Sequence, residues 1–387
     1  MNNLDIGGPQ KGLLAILEVL DPNIFDATVI SLQPRGQLRR EIEKYATVID
    51  APRLARSLQI NRGRALKDLA DITWTVGPKA SCAGIRTLWA ALRRQPLNPH
   101  RQRLWKLGSG HVPKTGRPFD LAISMSPGPA TYFLVDGVTA SRKYHWIVGD
   151  YSQTVINHNV DLSYFQSTHG AISVSEQCAE IFTGMFPEIA YSPTVFTHRV
   201  PWKFYAGQRS EEALEFSHAP RAHKIVTVSR LDPGKGIDLA VRACAELKQR
   251  NINVCWVVLG DGKERPRLER LISDLGVGGE FFLLGFRNNV AQYLQEADIL
   301  VHSSLSEGRS IAVDEAIAMG TPAVVTNYRT APSQVSHGVS GLICDFSPAD
   351  IASSVHRALE TEFALTPQRE GDHLSVNLFF ASLGANV

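Results

Sequence analysis

Two acidic side chains, Glu307 and Glu315, stand in the segment SEGRSIAVDEA with seven residues between them. Glu307 falls in a loop after an apolar run (298–304). Glu315 falls about a turn and a half into the helix that follows, so both carboxylates are expected to face one cleft. A carboxylate placed there accepts two hydrogen bonds from the vicinal hydroxyls of a ribose or hexose. Between them, the N–H groups of Gly308, Arg309, Ser310 and Ile311 are the donors that a first helical turn leaves unpaired, an anion cradle. The bland reading makes Glu315 a helix-surface residue and Glu307 a neighbour of the cap.

A second constellation is SRLDPGKGIDL, residues 229–239. Arg230 closes an apolar run and Lys235 sits in a glycine-rich loop ahead of a helix. Two cations beside a helix N-terminus suit a diphosphate, because the free N–H groups and the helix dipole also favour anions. Arg grips phosphate at two points and Lys adds a point charge. The phosphate loop GxxxxGK[ST] is absent. A surface turn that uses GKG only for backbone freedom is the alternative.

The elements that must hold these residues alternate. Runs 224–231, 254–260, 280–286, 298–304, 321–326 and 341–345 read as buried strands. Segments 237–250, 264–276, 290–297, 310–320 and 348–360 read as helices, the last opened by Ser347 and Pro348. Short links between them predict a parallel sheet with helices on both faces. Ligands of such sheets bind at the carboxyl ends of the strands, where both constellations fall. The first half is looser. Helix 12–22, strands 27–32, 119–126 and 144–150, and a strand and helix over 171–187 with Ser175 as cap are expected.

A chain of 387 residues exceeds one ordinary core and predicts two domains. We expect an N-terminal domain over 1–195, a proline-bearing linker over 196–222, a C-terminal domain over 223–362 and a tail over 363–387. Composition, 44% hydrophobic and 20% charged, is that of a soluble globular protein. The N-terminus lacks the basic start and apolar stretch of a secretory leader. The five cysteines form no CxxC pair, which fits a reducing cytoplasm and indicates neither a disulfide framework nor a zinc site. No metal-binding cluster of Asp, Glu or His is visible. Charge is unevenly spread: residues 53–117 hold roughly 14 Lys and Arg against about 2 acidic residues. Trp74, Trp89 and Trp105 are interleaved with them. This basic insertion is expected to meet anionic lipid or an anionic acceptor, with a plain solvated surface as the alternative and nucleic acid not expected.

The order SRLDPGKG, VLGDGKERPRLE, LLGF, ADILVHSSLSEGRSIAVDEAIAMGTPAVVT and GVSGLI resembles family 4 of the retaining glycosyltransferases over residues 224–360. IGGPQKGLLAILEVLDP resembles the family's glycine loop and first helix. The resemblance implies the GT-B fold, α/β with two Rossmann-like domains facing across a cleft. It implies that Arg230 and Lys235 neutralise the diphosphate of a nucleotide-sugar donor, UDP by preference and GDP as the alternative. It implies that Glu315 holds the ribose and Glu307 the donor sugar. Backbone from Gly308 to Ile311 would contact phosphate and sugar, Gly285, Phe286 and Arg287 would hold the base, and Gly7 and Gly8 would let the backbone approach the phosphates. No bound cofactor is implied. The acceptor would be a saccharide or lipid-linked saccharide of surface polysaccharide synthesis, reached at the inner membrane face.

The chain departs from that family in three places. Six residues precede Gly7, so either the chain starts late or the N-terminal sheet lacks its first strand. Val148 stands where the family often has His; His145 is expected to be a strand residue, and Asp150 and Tyr151 remain candidates for acceptor contact. The tail does not read as the family's last helix. Two other readings stay open: a degenerate GT-B protein that only binds, and a nucleotide-sugar epimerase, for which no acid/base set is evident.

Overall fold

The segment VCWVVL, Val254–Leu259, is buried at every position, as a central strand of a sheet covered on both faces must be. Its surroundings are seen in a computed structural model, which describes residues 1–60, 64–93, 95–197, 200–208, 215–218, 221–365 and 373–384. The chain divides into unit 1, Met1–Thr197 with Asp372–Val387, and unit 2, His198–Gly371.

Unit 1 runs α1 (Gly8–Leu17), β1 (Thr28–Ser31), α2 (Arg39–Ile42), β2 (Thr47–Asp50), α3 (Arg53–Ser57), α4 (Ala65–Thr75), α5 (Pro78–Leu92), α6 (Asn98–Gly108), β3 (Phe119–Ser124), α7 (Pro129–Gly137), β4 (Ala140–Ile147), α8 (His158–Phe165), β5 (Gly170–Ser173), α9 (Glu176–Met185) and β6 (Thr194–Val195). Strands β1 and β2 form one parallel pair, and β3-β4-β5-β6 a separate parallel sheet. Among the described residues no strand lies between β1 and β3. An apolar slot of about 490 Å³ lies there instead, lined by both strands and by α1. The Met1 ammonium donates to Ile30 O at 2.9 Å, and Leu32 N donates to Met1 O at 3.0 Å. Burial holds that ammonium down at about 5.

The basic insertion forms α3 to α6. They pack as a cluster on α7 through Leu58, Ile72, Leu104 and Trp105. The three tryptophans part company. Trp105 is core and donates to Asp136 Oδ2 at 2.8 Å, while Trp74 is 91% and Trp89 55% exposed.

Unit 2 runs α10 (Trp202–Ala206), β7 (His223–Val228), α11 (Ile237–Gln249), β8 (Val254–Leu259), α12 (Arg265–Asp274), β9 (Phe281–Gly285), α13 (Val290–Glu296), β10 (Ile299–His302), α14 (Ile311–Ala318), β11 (Ala323–Thr326), β12 (Gly341–Cys344) and α15 (Pro348–Leu359). Its six parallel strands lie in the order β12-β11-β10-β7-β8-β9. The order turns back between β7 and β10, which is the switch point where such sheets open a crevice. Helices α11 and α15 cover one face with Val241, Leu247, Ile351 and Val355, all buried. The caps at Ser175 and Ser347 are made: each hydroxyl accepts from the N–H three residues on, at 3.2 and 3.1 Å, which pairs one donor of each first turn.

The tail is corrected by the structure. His373–Gly384 is a helix, α16, and belongs to unit 1. Phe380 stands 5.5 Å from Phe196 between ring centres, and Asn377 accepts from Asp21 N at 2.8 Å and donates to Val19 O at 3.0 Å. Its buried face is Val376, Phe380 and Leu383, but Leu374 and Leu378 are apolar and exposed, so the apolar stripe is blurred in the sequence. The expected linker also holds structure, since α10 and a 3₁₀ turn over Glu215–His218 fall within it.

Candidate functional site

Glu307 follows β10, and Lys235 ends the 3₁₀ turn after β7, so the two strands that flank the switch point deliver them to the same place. The approach of their loops depends on Gly236. Its φ is +58°, and a Cβ there would stand 2.1 Å from Ser303 O, so glycine is the residue that fits. Leu305 N donates to Gly234 O at 2.9 Å, and Ser303 Oγ donates to Lys235 O at 3.2 Å, tying the loops together.

Three groups converge on one oxygen of Glu307. Lys235 Nζ donates to Oε1 at 2.6 Å, Ser304 Oγ at 2.6 Å, and His302 Nε2 lies 2.9 Å from the same atom. Thr330 Oγ1 anchors the Glu307 carbonyl at 2.9 Å. Burial would raise this carboxyl, but His302 and Lys235 outweigh burial and hold it down at about 2, as opposite charges close to a carboxylate do. The carboxylate is therefore charged and clamped through Oε1. Oε2 has no partner among the described residues.

Arg230 lies in the loop after β7, is exposed, and pairs with Asp232. Arg309 turns away from the crevice. Its guanidinium grips Asp314 with two bonds of 2.7 Å and donates to Ser333 O at 3.2 Å, the two-point geometry that Arg makes with a carboxylate. The expected cradle is partly taken. Ser310 N donates to Gln334 Oε1 at 2.8 Å, and Gln334 Nε2 returns a bond to Ser310 O at 2.8 Å. The N–H groups of Arg309 and Ile311 have no acceptor among the described residues. Gly308 lies beside them in the same loop.

The two glutamates do not lie open together. Glu315 is wholly buried and accepts the hydroxyl of Tyr205, from α10. Its place on the inward face of α14, beside buried Val313 and Ala316, puts it under cover while Glu307 stays at the loop. Gly285 ends β9 with φ +73° and leaves Phe286 exposed in the following loop. Arg287 donates to Glu215 Oε1 at 2.9 Å, and Tyr293 donates to the other oxygen of that carboxylate. Burial raises the Glu215 carboxyl less than Tyr293 and Arg287 lower it. Gly7 and Gly8 lie in unit 1, where Gly8 starts α1. Gly7 is extended, and a Cβ on it would meet only the far end of Gln10, so the fold of unit 1 does not itself demand glycine there.

His145 is a core residue of β4. It stacks on Phe165 with ring centres 4.4 Å apart, its Nδ1 is 3.1 Å from Thr168 Oγ1, and burial pushes it down to about 3. Asp150 caps a short turn by accepting from Ser152 N at 2.9 Å. Tyr151 is buried among Phe165, Phe182 and Phe186. His302, Ser304, Tyr205, Gln334 and Glu215 were not singled out by sequence reasoning. Only His302 carried a signal, a polar residue closing an apolar strand just before a candidate carboxylate.

Among the described residues no group of three or more His, Cys, Asp or Glu side chains is placed to hold a metal ion. No helix among them is long and apolar enough to cross a membrane.

Two Rossmann-like units with parallel sheets define the GT-B fold. The structure of Anabaena HepE in complex with UDP and glucose matches over 99% of this chain and 97% of that one, with TM-score 0.65 at 18% identity. A glycosyltransferase structure from Rickettsia africae matches with TM-score 0.63 at 15% identity over 98% and 91% of the two chains. Residues 210–370 match the family Glycosyl transferases group 1. Over 207 residues the chain is 31% identical to an uncharacterized glycosyltransferase of Methanocaldococcus jannaschii, covering 51% of this chain and 52% of that protein. Over 126 residues it is 31% identical to the lipopolysaccharide core biosynthesis glycosyltransferase LpsE of Rhizobium meliloti, covering 33% and 36%. The chain thus spans about half or less of the length of these curated relatives. It is similar to GT-B sugar transferases of the polysaccharide type.

Proposed function

We propose that this protein is a glycosyltransferase that moves a hexose-type sugar, with retention, from a nucleotide-diphosphate-sugar to a saccharide or lipid-linked acceptor in surface polysaccharide synthesis. The observation that carries the reading is the clamp on Glu307: one oxygen held by Lys235, His302 and Ser304, at the switch point of the unit 2 sheet. A carboxylate fixed that way offers its second oxygen to sugar hydroxyls with its charge kept. Lys235 and exposed Arg230 are cations for the diphosphate, and the N–H groups of Arg309 and Ile311 at the start of α14 add donors. As the anomeric C–O bond breaks, negative charge grows on the departing diphosphate, and these fixed groups stabilise it. Same-face attack lets the leaving phosphate oxygen accept the acceptor's proton. Glu315 takes the ribose, whose hydroxyls replace that of Tyr205. Phe286 and Arg287 border the base.

UDP is the donor nucleotide we favour, since UDP is bound in the HepE structure. We further propose peripheral contact with an anionic membrane through the insertion. Leu66, Trp74, Trp89 and Leu92 are exposed on α4 and α5, and Arg93 lies over the Trp89 ring at 3.4 Å. Apolar and aromatic side chains beside basic ones are what an anionic lipid surface takes up. A protein that only binds, without transfer, is the second reading, and the cover of Tyr205 on Glu315 favours it. Calorimetric titration of UDP and GDP into wild type, Lys235→Ala and Glu315→Ala tests the donor site. Micromolar binding lost in the variants supports the donor site. A folded wild type that binds neither nucleotide sinks it.

A further inference from the structure

Unit 1 contains a cavity that the donor reading does not use. Its volume is about 580 Å³, within the ordinary range for small-ligand sites. It opens at the carboxyl ends of β1, β3 and β4, where Gln33, the Pro127–Pro129 turn and Tyr151 meet it. That is the end of a parallel sheet at which ligands bind. The insertion helices α5 and α6 close its other side with Thr87, Asn98 and Arg101.

The polar groups in this wall are unevenly satisfied. Asp161 is fully engaged: Tyr132 donates to it, Gln102 Nε2 donates at 2.8 Å and Tyr151 at 3.3 Å. Arg101 has no such company. Its Nε is buried without a hydrogen-bond partner, and its guanidinium has no carboxylate partner among the described residues. Burial lowers its pKa. Gln59 Nε2 and Asn2 Oδ1, in the same wall, are likewise buried without partners among the described residues. Helix α7 adds its N-terminus, since Gly128 and Pro129 line the cavity, and a helix start favours negative charge. A half-buried cation without a counter-ion among the described residues is relieved by an incoming anion. Amide groups beside it suit hydroxyls, which both donate and accept.

We propose that this cavity binds the sugar end of an acidic saccharide, a pyranose-sized polyol whose single anionic group pairs with Arg101 while its hydroxyls meet Gln59 and Asn2. The anion is a carboxylate or a phosphate monoester. That this ligand is the acceptor rests on the transferase reading; the binding site itself does not.

The test is calorimetric titration of the full chain with glucuronate, glucose 1-phosphate and the neutral methyl glucoside, at low and at raised salt. Both or one of the acidic sugars binds, and comparing the two names the anion. The neutral glycoside binds at least about tenfold more weakly, since a charge-assisted bond is lost. Arg101→Gln weakens the acidic sugar by tenfold or more and leaves UDP affinity unchanged. Gln59→Ala, which keeps the cation, weakens it several-fold and decides the matter if Arg101→Gln does not fold. Equal binding of acidic and neutral sugars, no binding of any, or an unchanged affinity in both variants overturns the proposal. Acidic sugar bound without UDP removes the transferase reading and keeps this site; UDP bound without acidic sugar does the reverse.

Discussion

Lys235 and Glu307 are 72 positions apart in sequence, yet their side chains meet at 2.6 Å on an oxygen that His302 and Ser304 also reach. The pair is mostly buried, with side-chain exposures of 21% and 13%. Lys235 is therefore a cation already held in place, ready for the diphosphate that the proposed function brings there. Under the transferase reading, Lys235→Ala lowers the turnover rate by about 100-fold or more. Initial rates with a UDP-sugar measure this; a loss of less than about threefold would remove Lys235 from the site.

Glu307 also sets a pH dependence. Its folded carboxyl sits at about 2, below the ordinary value of 4.5. The unfolded chain therefore takes up the proton first as pH falls. The stabilisation is complete above about 4.5 and is lost as pH drops toward 2. Its size is on the order of 3 kcal/mol. The Tm advantage of wild type over Glu307→Gln should shrink steadily between pH 5 and pH 3. An advantage constant over that range would contradict the clamp.

Tyr205 donates its hydroxyl to buried Glu315. Tyr205→Phe removes that bond and lowers unfolding stability by about 1–3 kcal/mol in urea titrations. If ribose hydroxyls replace the phenol, saturating UDP raises the Tm of the variant more than that of wild type. Equal shifts would place the ribose elsewhere.

Gly236 carries φ +58° and has Ser303 O where a Cβ would go. Gly236→Ala strains the backbone by about 1–2 kcal/mol before the clash is counted. It separates the loops that join Lys235 to Glu307, so nucleotide affinity falls along with Tm. Gly234→Ala serves as control, since a Cβ at Gly234 meets nothing within 4 Å.

The insertion makes a separable prediction. Sedimentation with anionic vesicles should be strong at low salt and weaken as salt rises, because exposed charges are screened. Trp74→Ser with Trp89→Ser should reduce it further at fixed salt. A protein that stays in the supernatant at low salt would leave the basic helices as a solvated face.

Unit 2 was legible for a local reason. Strands that are buried on both faces read as unbroken apolar runs, and short links between them and amphipathic helices leave few topologies. The expected strand at 254–260 and helix at 237–250 match β8 and α11 within a residue or two. The spacing of Glu307 and Glu315 was also visible. Their different exposures were not, because Tyr205 comes from a segment that read as linker. Glu215 was hidden in the same way.

Helix α16 was missed because exposed Leu374 and Leu378 blur its buried stripe of Val376, Phe380 and Leu383, and its partners come from far away in the chain: Val19 lies 358 positions from Asn377. By itself the sequence determined the alternation of strands and helices in unit 2 and the parallel sheet they build, since these follow from local burial patterns and chain connectivity. Only the tertiary structure decided which oxygen of Glu307 is clamped, what covers Glu315 and that Arg101 has no counter-ion among the described residues. Those depend on side chains brought together from distant segments, and no local pattern encodes the meeting.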